Sequence, residues 1–400
     1  QCNVEIAWWD AVGEKAWLWV IVPNISSAVD TTLYIYYDNL KANNATYVGT
    51  TGSVPGQNVW DDNFVLVCHM RNDPDNANVR DSTSYGNHGV KKAAGNPAEV
   101  DAQIYKGQDF EATGLESYIT HGADASLKIT SLLTLETWLK LETSPAISIP
   151  LSRWDTGAND RCYTFQASGV SMFILATDDG TWVAGHRVGA RDNTLAIGVM
   201  TYWAGVIRGG VGSVPQLFKD GVDGSAVYLN ETNTINAGAV TFEQACQKTG
   251  GTRFRFGDGI QDEVRVSKID RSAAWIKTSY ESGRDHLNDF GEEETPPIVP
   301  VVSTGLFPPI IRPPPKVIHF TERFILFGRI RRLFAEEGRL AGLIRRPFLD
   351  EVVFSASTIK RIDELAYGDG FIVTEDIPEH AWEIFVKEFE AEQEEKELIE

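Results

Sequence analysis

Four hundred residues with an ordinary apolar share suffice for two or three domains, each able to bury a core of its own. The 56 acidic residues against 36 basic ones leave a formal charge of -20, which sets most of the surface against phosphate backbones and anionic lipid and excludes nonspecific binding to nucleic acid or a charged membrane. No run of about eighteen apolar residues occurs to span a bilayer, and the first residues lack the basic-then-apolar order of a secretion signal, although a leader removed earlier would leave the same start. Eleven Trp, twelve Tyr and nineteen Phe among many Gly, Asn, Asp and Thr predict short strands and tight turns.

Residues 1–60 hold two strand-like runs, Ala16 to Val22 and Thr32 to Tyr37, joined by a Pro-Asn-Ser turn. Two strands make no stable domain by themselves. Val4-Glu5-Ile6, Trp9-Asp10, Trp17-Leu18-Trp19-Val20 before Pro23, and Leu33-Tyr34-Ile35-Tyr36-Tyr37-Asp38-Asn39 resemble the latter half of a domain of unknown function that often precedes laminin-G-like domains in prokaryotic and phage surface proteins. That family has a first half of similar length. The expectation is therefore that the chain begins inside a longer gene product, or that the missing strands come from elsewhere.

Residues 61–290 read as strand after short strand, with Asp179-Gly180, Asp220-Gly221 and Asp258-Gly259 as turns. Five ordered landmarks lie here. Val65 to Met70 is an opening strand followed by the turn Asp81-Ser82-Thr83-Ser84-Tyr85-Gly86-Asn87-His88-Gly89. Leu133 to Leu139 is a central strand, Leu217-Phe218-Lys219-Asp220-Gly221 a hairpin, and Gly259 to Val266 a closing strand with a short helix over Arg271 to Tyr280. In this order they resemble the laminin-G-like, concanavalin A-like jelly roll. The resemblance implies an all-β, two-sheet sandwich.

A Pro-rich linker over 291–322 favours extended polyproline conformation. Next comes an internal repeat of fourteen residues, Phe324 to Glu337 aligning with Gly338 to Glu351 and more loosely with Val352 to Glu364. Leu326, Gly328 and Ile330 share one strand face, as Leu340, Gly342 and Ile344 do, which predicts a small β-repeat region over 323–364. Helical spacing of Ile330, Leu333 and Phe334 leaves a basic amphipathic helix as the alternative. Residues 365–400 end in a predicted acidic helix with Trp382, Phe385 and Phe389 on one side, a stripe that needs a partner.

The chemistry-bearing residues are sparse. Cys2, Cys68, Cys162 and Cys246 show no zinc or redox spacing and read as buried thiols; a disulfide would fit an oxidising compartment, and no pairing follows from the sequence. Glycoside hydrolysis on such a sandwich needs two facing carboxylates, but Asp262 and Glu263 are adjacent, so in a strand they point to opposite faces. No His-Glu-x-x-His, Gly-x-Ser-x-Gly or phosphate-loop motif is present. Asn24-Ile-Ser26, Asn44-Ala-Thr46 and Asn230-Glu-Thr232 fit the glycosylation sequon. Relatives of the jelly roll often hold calcium at the sandwich rim, and Asp155, Asn159 and Asp160 in one loop with Asp178 and Asp179 in another are the oxygens offered for Ca2+ here. Trp182 and His186 stand where a sugar ring would stack, with core packing as the alternative for the Trp.

The expected function is a non-enzymatic structural and adhesion protein of an extracellular assembly, most simply a phage virion decoration or fibre, with residues 296–400 meeting other subunits. The alternative is a calcium-assisted glycan-binding module of a secreted or cell-surface protein. An enzyme is third.

Overall fold

The computed structural model describes residues 1–10, 15–23, 31–37, 43–144, 146–208, 214–232, 234–287, 289–290, 316–321 and 326–329. The expected repeats beyond Arg329 and the expected acidic helix lie outside these residues. The described part is almost wholly β, built as a sandwich of two large, mainly antiparallel sheets.

One face, the rim sheet, runs in the order Ala226–Asn230, Arg187–Asp192, Ser171–Gly180, Asp160–Ser168, Ser148–Asp155, Glu243–Gln244, Ile119–Thr120, Gly89–Lys91, Asn78–Val79. The other, the central sheet, runs Val222–Asp223, Gln216–Lys219, Thr201–Ile207, Leu133–Leu141, Gly259–Ser267, Tyr105–Phe110, Ala98–Ala102, with Phe64–Cys68 also paired to Gly259–Ser267. Non-consecutive neighbours mean that the chain crosses between layers, as in a jelly roll.

Period-two alternation shows why these strands stack as they do. In Leu133–Leu141, Leu133, Leu135, Leu139 and Leu141 enter the core between the sheets, while Trp138 joins a second apolar cluster on the outer side. Phe165, Ile174 and Trp203 fill the first core without solvent contact, each side chain contributing about 1.5–3 kcal/mol by burial. The turn after Phe64–Cys68 is organised by Asp81, whose carboxylate accepts the N–H groups of Val67, Thr83 and Asn87 at 2.9, 2.9 and 2.8 Å.

The second cluster makes a third layer. Ala7, Trp17 and Trp19 from the N-terminal strands Val4–Asp10 and Lys15–Val20 pack with Trp60, Phe64, Trp138 and Ile276 on the outer face of the central sheet. The helix Ala273–Gly283 contributes Ile276 and begins at Ser272, whose hydroxyl accepts from Trp275 N–H at 3.1 Å. Arg271, just before it, pairs bidentately with Asp61 at 2.8 and 2.9 Å and lies 4.2 Å from the rings of both Phe64 and Trp275.

The last residues of the expected 291–322 linker are not polyproline but a strand, and with the segment after it the backbone returns to the N-terminal strands. Lys316–Thr321 pairs antiparallel with Thr32–Tyr37, and Leu326–Arg329, within the first repeat, pairs antiparallel with Lys15–Val20, setting Gly328 opposite Leu18. All four cysteines are unpaired, and Cys68, Cys162 and Cys246 are buried.

Candidate functional site

The rim site grows out of one interrupted hairpin. Asp160–Ser168 and Ser171–Gly180 pair residue for residue until Tyr163 opposite Ala176, after which Arg161 faces Gly180. Two residues on one strand therefore oppose four on the other. This bulge abolishes the strict alternation of side chains, and consecutive Asp178 and Asp179 converge on one ring instead of parting. The next strand, Arg187–Asp192, is preceded by His186, whose carbonyl accepts from the Asp178 N–H at 3.2 Å.

His186 Nδ1 lies 2.8 Å from Asp178 Oδ1 and 3.4 Å from Asp179 Oδ2. The outer oxygens are held in turn: Thr232 Oγ1 donates to Asp178 Oδ2 at 2.6 Å, and the N–H and hydroxyl of Thr181 each donate to Asp179 Oδ1 at 2.8 Å. The hydrogen bond to Asp178 and the charges of both carboxylates push the His186 imidazole above its usual range. All three side chains remain open to solvent, at 43% exposure for His186, 23% for Asp178 and 37% for Asp179.

Trp182 stands beside this group, half-buried, edge-on to Trp154 with ring centroids 5.6 Å apart and with the Arg187 guanidinium 5.5 Å from its centroid. Arg187 is itself locked to Glu231 by two bonds of 2.8 Å, and Glu231 also accepts the Gly185 N–H at 3.0 Å. The result is an aromatic surface ringed by charged donors and acceptors.

Of the residues singled out in the sequence, Trp182, His186, Asp178 and Asp179 come together. Asp155, Asn159 and Asp160 lie on the adjoining loop but turn their oxygens elsewhere. The Asp155 carboxylate accepts four backbone N–H groups, from Gly157, Ala158, Gly250 and Gly251, at 3.0, 3.0, 2.7 and 2.8 Å. Burial opposes its charge, yet those donors keep it below the ordinary carboxylate range. Asp160 binds the N–H groups of Ala239 and Val240 at 2.8 and 2.9 Å and Asn236 Nδ2 at 3.1 Å, and Asn159 Oδ1 accepts from Arg161 at 2.9 Å. Among the described residues, Asp178, Asp179 and His186 are the one group of three or more His, Cys, Asp or Glu side chains whose ligand atoms converge. Arg187, Glu231 and Thr232 were missed in the sequence. In the sequence Thr232 carries no signal beyond the third place of a sequon, and its pairing with Asp178 spans 54 positions.

A second histidine and carboxylate cluster is buried between the N-terminal strands and the central sheet. His69 Nδ1 is 2.6 Å from Glu263 Oε1 and its Nε2 is 3.3 Å from Glu5 Oε1. Glu5 also accepts from Trp60 Nε1 at 2.6 Å and Ser82 Oγ at 2.8 Å, while Arg265 donates to Glu263 at 2.9 Å and lies 4.6 Å from the Trp19 ring. Burial alone would depress the imidazole, but Glu263 and Glu5 raise it to about 10, so both ring nitrogens carry protons at neutral pH.

Here one expectation is corrected. Asp262 and Glu263 do not part to opposite faces, because the closing strand slips register between Glu136 and Trp138 and Glu263 adopts φ 48. Both acids turn to the same side. Burial and then the charge of Glu263 lift the Asp262 carboxyl well above its usual range, while Glu263, against burial, is held low by His69 and Arg265. The neighbouring cavity, lined by Trp8, Trp17, His69, Tyr105 and Glu263 among others, measures about 10 Å³ and has room for one water, not a sugar.

No family model matches the chain and no curated protein does. Among solved structures it is similar to the binding domain of Paraclostridial Mosquitocidal Protein 1, at 12% identity and TM-score 0.42 over 55% of this chain and 52% of that one. It is also similar to the binding domain of Botulinum Neurotoxin serotype G, at 11% identity and TM-score 0.41 over 55% and 50%. Domain 4 of AbnA, a GH43 extracellular arabinanase from Geobacillus stearothermophilus in complex with arabinotriose, is similar at 15% identity and TM-score 0.37 over 54% and 97%. The chain thus spans about half the length of the toxin binding domains.

Proposed function

We propose that the chain is a non-catalytic recognition module that binds glycans at the rim of the sandwich, on an extracellular or particle surface. The observation that carries this reading is Trp182, half-buried against Trp154 and bordered by Arg187, Glu231, Asp178 and Asp179. A sugar ring offers an apolar face for an indole and equatorial hydroxyls for charged acceptors and donors, and this rim supplies both within one patch. Of the other acid pair, Glu263 lines a cavity of about 10 Å³ and Asp262 accepts the Ile104 N–H at 2.7 Å.

A glycan array followed by calorimetry tests the reading. Binding to a defined class of oligosaccharide, lost in Trp182→Ala and weakened in Arg187→Ala, is expected; equal binding by wild type and Trp182→Ala would dismiss the rim as the site.

A second reading, a structural component of an assembled particle such as a virion fibre or decoration, draws on a different observation. Leu326–Arg329, beyond the Pro-rich stretch, adds a strand to Lys15–Val20. Strand addition by a distant segment also joins separate chains, since main-chain hydrogen bonds supply the affinity. Light scattering on the intact chain should show oligomers that Gly328→Pro disperses; a monomer at all concentrations would remove this reading.

A further inference from the structure

We infer that Asp178, Asp179 and His186 form a binding site for a divalent transition-metal ion of the zinc class, and not for calcium. The inference stands apart from the glycan reading, because metal binding is measured with no sugar present.

The geometry begins with a shortage of protons. A single ring nitrogen carries one lone pair or one N–H, yet two carboxylate oxygens approach His186 Nδ1, at 2.8 and 3.4 Å. One proton serves one of them well. An ion between the three atoms serves all: ligands at about 2.0–2.2 Å from a common centre stand roughly 3–4 Å from one another. The three atoms here lie within 4.8 Å of one another, and the 2.8 Å contact of His186 with Asp178 has only to open by a few tenths of an ångström to admit the ion.

The surroundings also have the character of a metal site. The far oxygen of Asp178 is held by Thr232, and Asp179 is held by Thr181, whose N–H and hydroxyl meet Oδ1 at 2.8 Å and whose hydroxyl also stands 3.0 Å from Oδ2, so both carboxylates keep little rotational freedom. The ligands come from two strand ends locked side by side by the Asp178 N–H to His186 carbonyl bond, a firmer support than one mobile loop. Solvent exposure leaves room for water at the remaining positions.

Ligand chemistry decides the ion. Calcium takes six to eight oxygens, including carbonyls and bidentate carboxylates, and has little use for imidazole. Imidazole with two carboxylates suits zinc and its first-row neighbours. The oxygen-rich loop of Asp155 and Asp160 has its carboxylates directed at N–H donors.

The test is a competitive titration of the intact chain, stripped with chelator, using zinc chloride alone, cobalt(II) chloride alone, and zinc against excess calcium chloride. One equivalent of zinc is expected to bind. Cobalt should give the visible absorption of a nitrogen and oxygen site, and calcium at millimolar concentration should not displace zinc. His186→Ala should weaken zinc binding by more than about 100-fold and Thr232→Val by about tenfold through the loosened Asp178, with far-ultraviolet circular dichroism unchanged. Zinc bound equally well by His186→Ala, no saturable zinc binding, or displacement by calcium would each overturn the inference. Glycan binding that survives chelation alongside a confirmed zinc site would separate the two readings.

Discussion

Among the described residues a histidine stands between two carboxylates at His69 and at His186, and the two groups behave oppositely because of burial. His69 is 6% exposed between Glu5 at 0% and Glu263 at 2%, whereas His186 is 43% exposed between Asp178 and Asp179. In the interior each charge has lost its water and must be matched by the others, so the cluster is a structural joint between the N-terminal strands and the sandwich. At the rim water screens the same pairing, which contributes little to folding and leaves the donors available to an ion or ligand. Chemistry of the side chains is shared; solvent decides the use.

The largest effect should come from breaking the interior cluster. Glu263→Ala leaves His69 and Arg265 buried with one partner fewer and should cost roughly 3–5 kcal/mol in urea unfolding. A loss below about 1 kcal/mol would show that water enters the joint and that the contrast with the rim is false.

Next in size is the pH response of His69. Its imidazole is raised in the folded chain, so its stabilising contribution is complete below the unfolded value near 6.5 and disappears as pH rises through about 10. Stability should therefore fall between pH 6.5 and 10, and His69→Gln should flatten that limb. Glu263, held low in the fold, adds stability present above its unfolded value of 4.5 that is lost as pH drops below it. An unfolding free energy constant from pH 7 to 10 would contradict the buried pairing.

The rim should give the smallest effect on folding. His186→Ala and Asp179→Asn should each change unfolding free energy by less than about 0.5 kcal/mol, the range of exposed substitutions, while removing ion binding. Raising salt should weaken the Arg187 and Glu231 pair and leave the Glu5, His69 and Glu263 group almost untouched, which differential scanning calorimetry of single variants can resolve. A rim variant as destabilising as Glu263→Ala would erase the distinction.

The rim was largely legible beforehand and the interior cluster was not, since Glu263 alone of its members was weighed in the sequence. Asp178, Asp179, Trp182 and His186 were visible as a polar and aromatic group of near neighbours, but period-two alternation gives no warning that a bulge turns consecutive acids to one side. The same rule misplaced Asp262 relative to Glu263, where φ 48 at Glu263 and a register slip intervene. Thr232 and Glu231 could not have been joined to the rim, since the edge strand Ala226–Asn230 meets Arg187–Asp192 only through sheet pairing.

What the amino-acid order determined by itself was the class of fold: short strand-like runs, the turn residues at Asp179, Asp220 and Asp258, and five landmarks in jelly-roll order from Val65 to Tyr280 are signals carried within short segments. What the tertiary structure alone decided was which charges meet and whether water reaches them. Glu5, His69 and Glu263 are separated by scores of residues and act as one group because three layers close over them. Electrostatic strength depends on that enclosure, a property of the packed molecule and of no segment within it.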